Sequence, residues 1–395
     1  MSHFVAKEML LLLAFTSSSG VPPPTIVLAL TDDLGWNYPS YHGTPSDAIT
    51  PTLDSLALTQ SVRLESFYVY KYCSPTRSSF LTGRYPYHLR ATRCNLIPAS
   101  IPEGLDLSYE LLPKTLAKAG YESHHVGKWH MGFHTVDYTP VGRGFNTSWG
   151  FLEGGEDHFT SLSGAGHVPC DAGKPKNFKY ADLWAQSSPG MKQRLPDAAG
   201  VPGKPLRGRT GNTSLPSGKP GLDSTYTAMM FTQRVVEIVK EHGAQLRGEN
   251  AASTAPLFIY WALHNTHAPI EAPQRFIDMY AKRPWFAADQ KRAIFAAMMS
   301  VVDEAVLNVT TALKEEQMWT NTVFVWTTDN GSPINGGGSN HPLRGGKGHN
   351  WEGVSRASYC SSLFFFLCIR HSSIYLPSPP TWARVYTFPR SWRAV

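Results

Sequence analysis

Cys73-Ser74-Pro75-Thr76-Arg77-Ser78-Ser79-Phe80-Leu81-Thr82-Gly83-Arg84 is the stretch around which this chain is organised. A cysteine is followed by Pro two residues on and Arg four residues on, and the run opens into a short apolar segment that reads as a helix. A thiol at a helix N-terminus beside a cation has a lowered pKa and suits a nucleophile. The same residues are equally those of a buried core cysteine next to a surface arginine. The text before it decides the fold class. A strand, an acidic loop, a helix, a second strand-like run (Arg63 to Tyr70), the cysteine loop and a helix follow one another, and that alternation is α/β.

Working upstream, Thr25-Ile26-Val27-Leu28-Ala29-Leu30 is a continuous apolar and β-branched run, the pattern of a strand buried on both faces. It leads into Thr31-Asp32-Asp33-Leu34-Gly35-Trp36. Adjacent carboxylates at the end of a first buried strand stand where α/β folds place ligands. Two neighbouring acids repel unless a cation lies between them, and hard oxygen donors suit Ca²⁺ or Mg²⁺. The commoner fate of an Asp-Asp pair is a solvated turn or a helix cap. Thr50-Pro51 reads as an N-cap and a first helical residue.

Downstream, Tyr109 to Ala119 has helical spacing, with Gly120 as its stop. A short strand, Tyr121 to Val126, leads to Gly127-Lys128-Trp129-His130-Met131-Gly132. If that segment is extended, Lys128 and His130 share one face, as an oxyanion site with an acid/base partner requires. His124 and His125 read as structural or surface residues. Residues 161–223 are rich in Gly, Pro, Ser and Lys and read as an irregular surface insertion. A helix from Thr225 to Gly243 precedes the buried strand Pro256 to Leu263, which ends in His264-Asn265-Thr266-His267-Ala268-Pro269. Helical signals run from Gln290 to Glu316. Asn321 to Trp326 is a last strand, entering Thr327-Thr328-Asp329-Asn330-Gly331, where an acid and an amide can complete a cation cage or make a plain Asn-Gly turn.

The 395 residues allow one large α/β domain with or without a smaller one, and an apolar fraction of 42% excludes a disordered chain. Five of the six net positive charges are arginines within residues 354–395, so the body is near neutral and carries no nucleic-acid footprint. Five scattered cysteines give neither a disulfide framework nor C-x-x-C zinc spacing, although Cys94 and Cys170 can be paired. Residues 1–20, with Lys7, the apolar run Met9 to Phe15 and then small residues, have the order of a signal peptide. Sequons at Asn146, Asn212 and Asn308 are compatible with a secreted glycoprotein. No other segment has the roughly 18 apolar residues of a membrane span.

C-x-P-x-R followed by L-T-G-R resembles the signature of the type I sulfatases, whose cysteine is converted after translation to formylglycine. The resemblance covers residues 25–353: the Asp32-Asp33 opening, Gly127-Lys128-Trp129-His130, the Gly155-Glu156-Asp157-His158 element, His267 before a small residue and Pro, Asp329-Asn330-Gly331, and Leu343-Arg344-Gly345-Gly346-Lys347 with Trp351-Glu352-Gly353. The block wording is closest to the arylsulfatase B, or N-acetylgalactosamine-4-sulfatase, group. The resemblance implies an alkaline-phosphatase-like α/β sandwich, with a mostly parallel sheet flanked by helices, over residues 22–353. It implies Ca²⁺ on Asp32, Asp33, Asp329, Asn330 and modified residue 73, with Arg77, Lys128 and Lys347 supplying positive charge. His130 would support proton traffic at residue 73, and His267, with His264 as runner-up, would protonate the leaving oxygen. It further implies a sulfated small molecule or glycan as substrate, a formylglycine-generating enzyme as partner, and an extracellular or lysosomal site in the secretory pathway.

From Val354 onward the wording departs from the family, so residues 354–395 read as a non-family tail with the C-terminal subdomain absent or replaced. Two further readings follow. One is a truncated, catalytically inactive sulfatase-like product; the other is phosphate or phosphonate monoester hydrolysis on the same fold.

Overall fold

The structure, a computed structural model, describes residues 22–42, 47–89, 96–97, 101–164, 179–188, 226–249 and 251–362. The expected leader, the Cys94–Cys170 pair, Asn212, most of the 161–223 insertion and the end of the tail lie outside them. Strand β1 is Thr25–Thr31, and all seven residues are buried. The reason is alternation between two covered faces: Val27 and Ala29 enter one apolar cluster, while Ile26, Leu28 and Leu30 enter another.

In chain order there follow α1 (Pro51–Ser55), β2 (Ser61–Arg63), α2 (Cys73–Thr82), α3 (Leu112–Ala117), β3 (Glu122–Lys128) and β4 (Thr147–Phe151). Then come β5 (Leu162–Gly164), β6 (Lys179–Ala181), β7 (Trp184–Ser187), α4 (Thr227–Arg247), β8 (Leu257–Ala262) and α5 (Gln274–Asp278). Last are α6 (Gln290–Glu315), β9 (Thr322–Thr328), α7 (Glu352–Ser355) and β10 (Tyr359–Ser362). One sheet runs β2-β10-β9-β1-β8-β3-β4-β7, and β5 and β6 pair antiparallel in a separate two-stranded sheet. Its middle five strands, β9 to β4, are parallel, and antiparallel strands flank them on both sides. Residues of α4 and α6 close one face, and Leu81 of α2 and Leu116 of α3 lie in the cluster on the other. Helix α6 is apolar and long enough to cross a bilayer by composition, but its apolar window is mostly buried inside the protein.

Two local expectations change, and the first residues of the tail are placed. The run Arg63 to Tyr70 is not a strand beyond Arg63, because its main-chain partners are two bonds to residues 355 and 357 before the chain turns into α2. Thr50 makes no side-chain cap on α1; the free N–H groups of Thr52 and Leu53 are taken instead by the Asp303 carboxylate of α6, at 3.1 and 2.8 Å. Residues 354–362, the start of the tail, pack on the body: Val354 and Ala357 are buried, and β10 lies between β9 and β2 in the main sheet. Of the sequons, Asn146 is half-buried and its side-chain oxygen accepts the Ser123 N–H at 2.8 Å, whereas Asn308 is exposed on α6.

Candidate active site

The C-terminal ends of β1, β3, β8 and β9 converge, as parallel strands must, and the N-terminus of α2 meets them there. That crevice is where open α/β sheets bind ligands. Strand β1 delivers Asp32 and Asp33, β9 delivers Asp329 and Asn330, β3 ends at Lys128, and the turn after β8 carries His264 to His267. Close contact between strands fixes the residue before Lys128: a Cβ on Gly127 (φ +109°) would overlap the carbonyl oxygen of Ala262 on β8. Cys73 and Arg77, four apart on α2, share a helix face and both point inward.

Three aspartates each meet a cation there. The Lys128 ammonium contacts the Asp32 carboxylate. Arg77 donates from Nε and Nη2 to Oδ2 of Asp329 at 3.0 and 2.8 Å and from Nη1 to the Lys128 carbonyl at 3.2 Å. Lys347 Nζ lies 2.6 and 2.9 Å from the two oxygens of Asp33. Arg77, Lys128 and the three aspartates are buried, so these are charges held without water. The Cys73 thiol donates to Oδ1 of Asp32 at 3.5 Å. Ligand atoms of Asp32, Asp33, Cys73 and His267 lie within 4.8 Å of one another.

Burial would raise Asp32, but Lys128, Arg77 and Lys347 hold it below the usual carboxylate value. Burial pushes Asp33 up to about 6, against Lys347 and with help from Asp32 and Asp329. The expected low-pKa thiol is absent: burial, then Asp32 and Asp329, push Cys73 far above an ordinary thiol. As an unmodified cysteine it is therefore a protonated hydrogen-bond donor and not a nucleophile. His130 and His267 are both held neutral, first by burial and then by the neighbouring Lys128 with Arg77 or Lys347. Burial would lower Lys347, but Asp33 together with the other acids of the pocket, Asp32 and Asp329, holds it well above the usual lysine value.

The candidate metal and catalytic residues named from the sequence lie at or beside this pocket, one by a route the spacing did not show. Lys128 closes β3, but His130 has φ +55°, so the Lys-x-His segment is turned and not extended. His124 and His125 are buried and structural, bonded to Thr147 and Ser148 of β4 at 2.6 and 2.8 Å. His267 is about a fifth exposed; Nδ1 donates to the Ala268 carbonyl at 2.7 Å, leaving Nε2 toward the pocket, 3.8 Å from Asp33. Asn265 and Thr266 had not been singled out, yet they fasten the acidic turn. The Asn265 carbonyl accepts the Asp32 N–H at 2.7 Å, and the Thr266 hydroxyl donates to the carbonyls of Asp32 and Asp33, both at 3.2 Å. Their only sequence signal was two short polar residues between histidines after a buried strand.

The donor set fits a hard divalent cation. Carboxylate oxygens converge, and the side-chain oxygen of Asn330 is buried with no hydrogen-bond partner among the described residues, while its amide nitrogen donates to Asp33 at 2.6 Å.

A family profile described as Sulfatase matches residues 24–356. Arylsulfatase J of Mus musculus is 35% identical over 340 residues, 86% of this chain and 48% of that protein. N-acetylgalactosamine-6-sulfatase of Homo sapiens is 30% identical over 351 residues, 86% of this chain and 57% of that protein. The chain thus spans about half the length of these curated relatives. Among solved structures, Ps i-CgsB in complex with k-i-k-neocarrahexaose superposes with a TM-score of 0.67 at 26% identity, over 86% of this chain and 66% of that one. The PsFucS1 sulfatase from Pseudoalteromonas sp., at 20% identity, shares the fold with a TM-score of 0.61 over 91% and 66% of the two chains. The architecture is the alkaline-phosphatase-like fold of these neighbours.

Proposed function

This chain belongs to the sulfatase family, and from that premise we propose that it hydrolyses sulfate esters at residue 73 after conversion of the cysteine to formylglycine. The observation that carries the reading is the position of Cys73. It stands at an α2 N-terminus, 3.5 Å from Asp32, inside a buried ring of three aspartates each matched by a cation. Asp32, Asp33, Asp329 and Asn330, with residue 73, would hold Ca²⁺. When present, Ca²⁺ would draw charge from a sulfate oxygen, and the formylglycine hydrate would supply one hydroxyl for attack on sulfur and a second for release of sulfate.

The chain's own residues do the rest. Arg77, locked by Asp329, and Lys128, locked by Asp32, cannot swing away and present fixed positive charge, a preorganised site for an anion. Lys347 reaches the pocket from the opposite loop. His130, held neutral by burial and the neighbouring cations and with Nδ1 buried and unpartnered among the described residues, would support proton traffic at residue 73. His267 faces the pocket through Nε2, and the negative charge of a bound sulfate favours the proton that it passes to the leaving oxygen. The substrate class is a sulfated glycan or aryl ester, the maturation partner is a formylglycine-generating enzyme, and the setting is the secretory pathway.

The test is turnover of 4-nitrocatechol sulfate and the matching phosphate by protein made in cells that contain the maturation enzyme. Sulfate turnover should fall at least about 10³-fold in Cys73→Ala and about 10²-fold in Lys347→Ala. Faster hydrolysis of the phosphate, or full activity in Cys73→Ala, would overturn the sulfate-ester reading.

A further inference from the structure

Four rings form a column that ends at the pocket. Tyr226, which caps α4, stacks on His158 with centroids 5.2 Å apart and planes 13° from parallel. His158 stacks on His264 at 4.2 Å and 23°, and His264 faces His267 at 5.3 Å and 30°. Tyr226, His158 and His264 are fully buried. The edge of Phe151 closes on His264 at 5.0 Å and 66°. Beside the column, a Cβ on Gly155 would lie 3.0 Å from the His267 ring and 3.6 Å from Nε2 of His264, so the backbone there shuts the remaining side.

The hydrogen bonds of the column point the same way. His158 Nε2 donates to the His267 carbonyl at 2.9 Å, and the Asn265 amide donates to the Tyr226 hydroxyl at 3.1 Å, which in turn donates to the Glu271 carbonyl at 2.9 Å. His264 differs from its neighbours: neither ring nitrogen has a polar partner among the described residues. A buried imidazole without hydrogen bonds is a costlier filler than an apolar side chain of similar size. What His264 contributes is a flat face against His267.

We propose that Tyr226, His158 and His264 are positioning residues that hold the His267 ring so that Nε2 faces the leaving-group oxygen while Nδ1 stays on the Ala268 carbonyl. The role of His267 rests on the sulfate-ester reading; the ring column does not. Removing the face beneath His267 frees its ring to turn, and a misplacement of about 1 Å costs on the order of 10²-fold in a step that needs that group. Such a loss depends on the leaving group. A nitrophenolate departs without a proton, whereas a sugar alkoxide needs one in the transition state.

The experiment compares the parent, His264→Ala and His264→Phe on 4-nitrophenyl sulfate and on a monosaccharide sulfate. His264→Ala is expected to lose about 10- to 100-fold in kcat on the sugar sulfate and less than about 3-fold on the nitrophenyl ester, with KM unchanged. His264→Phe, which keeps the face, stays within about 3-fold of the parent on both. Equal losses on the two esters, or a Phe variant as impaired as the Ala variant, would overturn the proposal. His264→Leu fills the volume without a flat face and carries the same prediction if the Ala variant does not fold. A second readout needs no turnover: ¹⁵N-histidine spectra should show His267 protonated at Nδ1 in the parent and the Phe variant, and a tautomer mixture in the Ala or Leu variant. An unchanged His267 pattern in Ala or Leu contradicts the proposal. A parent that cleaves neither ester defeats the sulfate-ester reading, and the ¹⁵N pattern alone then judges the column.

Discussion

Asp32, Asp33 and Asp329 are three buried carboxylates; Glu153, Glu156 and Asp182 are three more, on and beside the loop that runs past His130 and His267. Each member of the first trio touches a lysine or an arginine. No ion pair reaches the second trio among the described residues. Asp182 accepts the N–H groups of Leu152 and Glu153 at 3.1 and 2.9 Å and the Trp184 indole at 2.9 Å. Glu156 has both oxygens buried without a partner among the described residues. Burial and the neighbouring acids Asp182 and Asp157 push Glu156 well above an ordinary carboxyl, and burial with Asp182 pushes Glu153 up to about 7. Burial is common to both trios, so it does not by itself mark a reactive acid. The matched cations set the first trio apart and keep charge in the pocket, while burial without a cation raises all three members of the second trio, which shape a loop.

The largest expected difference comes from breaking a matched pair. Arg77→Met leaves Asp329 buried without its cation and should cost about 3–5 kcal/mol in urea unfolding. An effect below about 1 kcal/mol would mean that the pair is not the buried, paired contact described here.

Glu153→Gln should act in the opposite direction. The folded carboxyl, at about 7, lies above its ordinary value of 4.5, so the folded state holds a proton that the unfolded chain has released. Stability from this group therefore falls as pH rises from 4.5 through 7. The glutamine variant should match the parent's stability at pH 4 and exceed it at pH 8, by up to about 3 kcal/mol. A variant less stable than the parent at pH 8 would contradict the contrast.

Asp33, raised to about 6, carries a proton below that pH which a bound cation must displace. Calcium at about 100 times its dissociation constant should stabilise the protein by about 2.7 kcal/mol at pH 7.5, and chelation should remove that gain. The gain should shrink as pH falls through 6. Equal stabilisation at pH 5 and 7.5 would break the link between Asp33 and the metal.

How much of this was legible depended on how local the physics is. The strands at 25–31, 257–262 and 322–328 read correctly because a strand covered on both faces must be apolar throughout, and that pattern lies in consecutive residues. Asp32 and Asp329 were visible because each follows such a run. The turn at His130 was not, since a left-handed conformation at a non-glycine residue is imposed by its surroundings. Asp303 capping α1 from 250 residues away in sequence could not be read locally either. Strand β10 was missed because four residues, Tyr359 to Ser362, carry little pattern of their own and owe their form to β9 and β2 on either side. Lys347 was placed by motif alone, for nothing in a glycine-rich loop says which acid its lysine will meet.

The most direct measurement is the mass of the tryptic peptide Tyr72 to Arg77 from protein purified out of the secretory pathway of a cell that makes the maturation enzyme. Conversion of Cys73 to formylglycine lowers that mass by about 18 Da, the difference between a thiol and an aldehyde at the same carbon. The lighter peptide is expected, together with sulfate-ester turnover that rises with the converted fraction. A peptide that retains its thiol in protein that nevertheless cleaves sulfate esters would contradict the formylglycine reading.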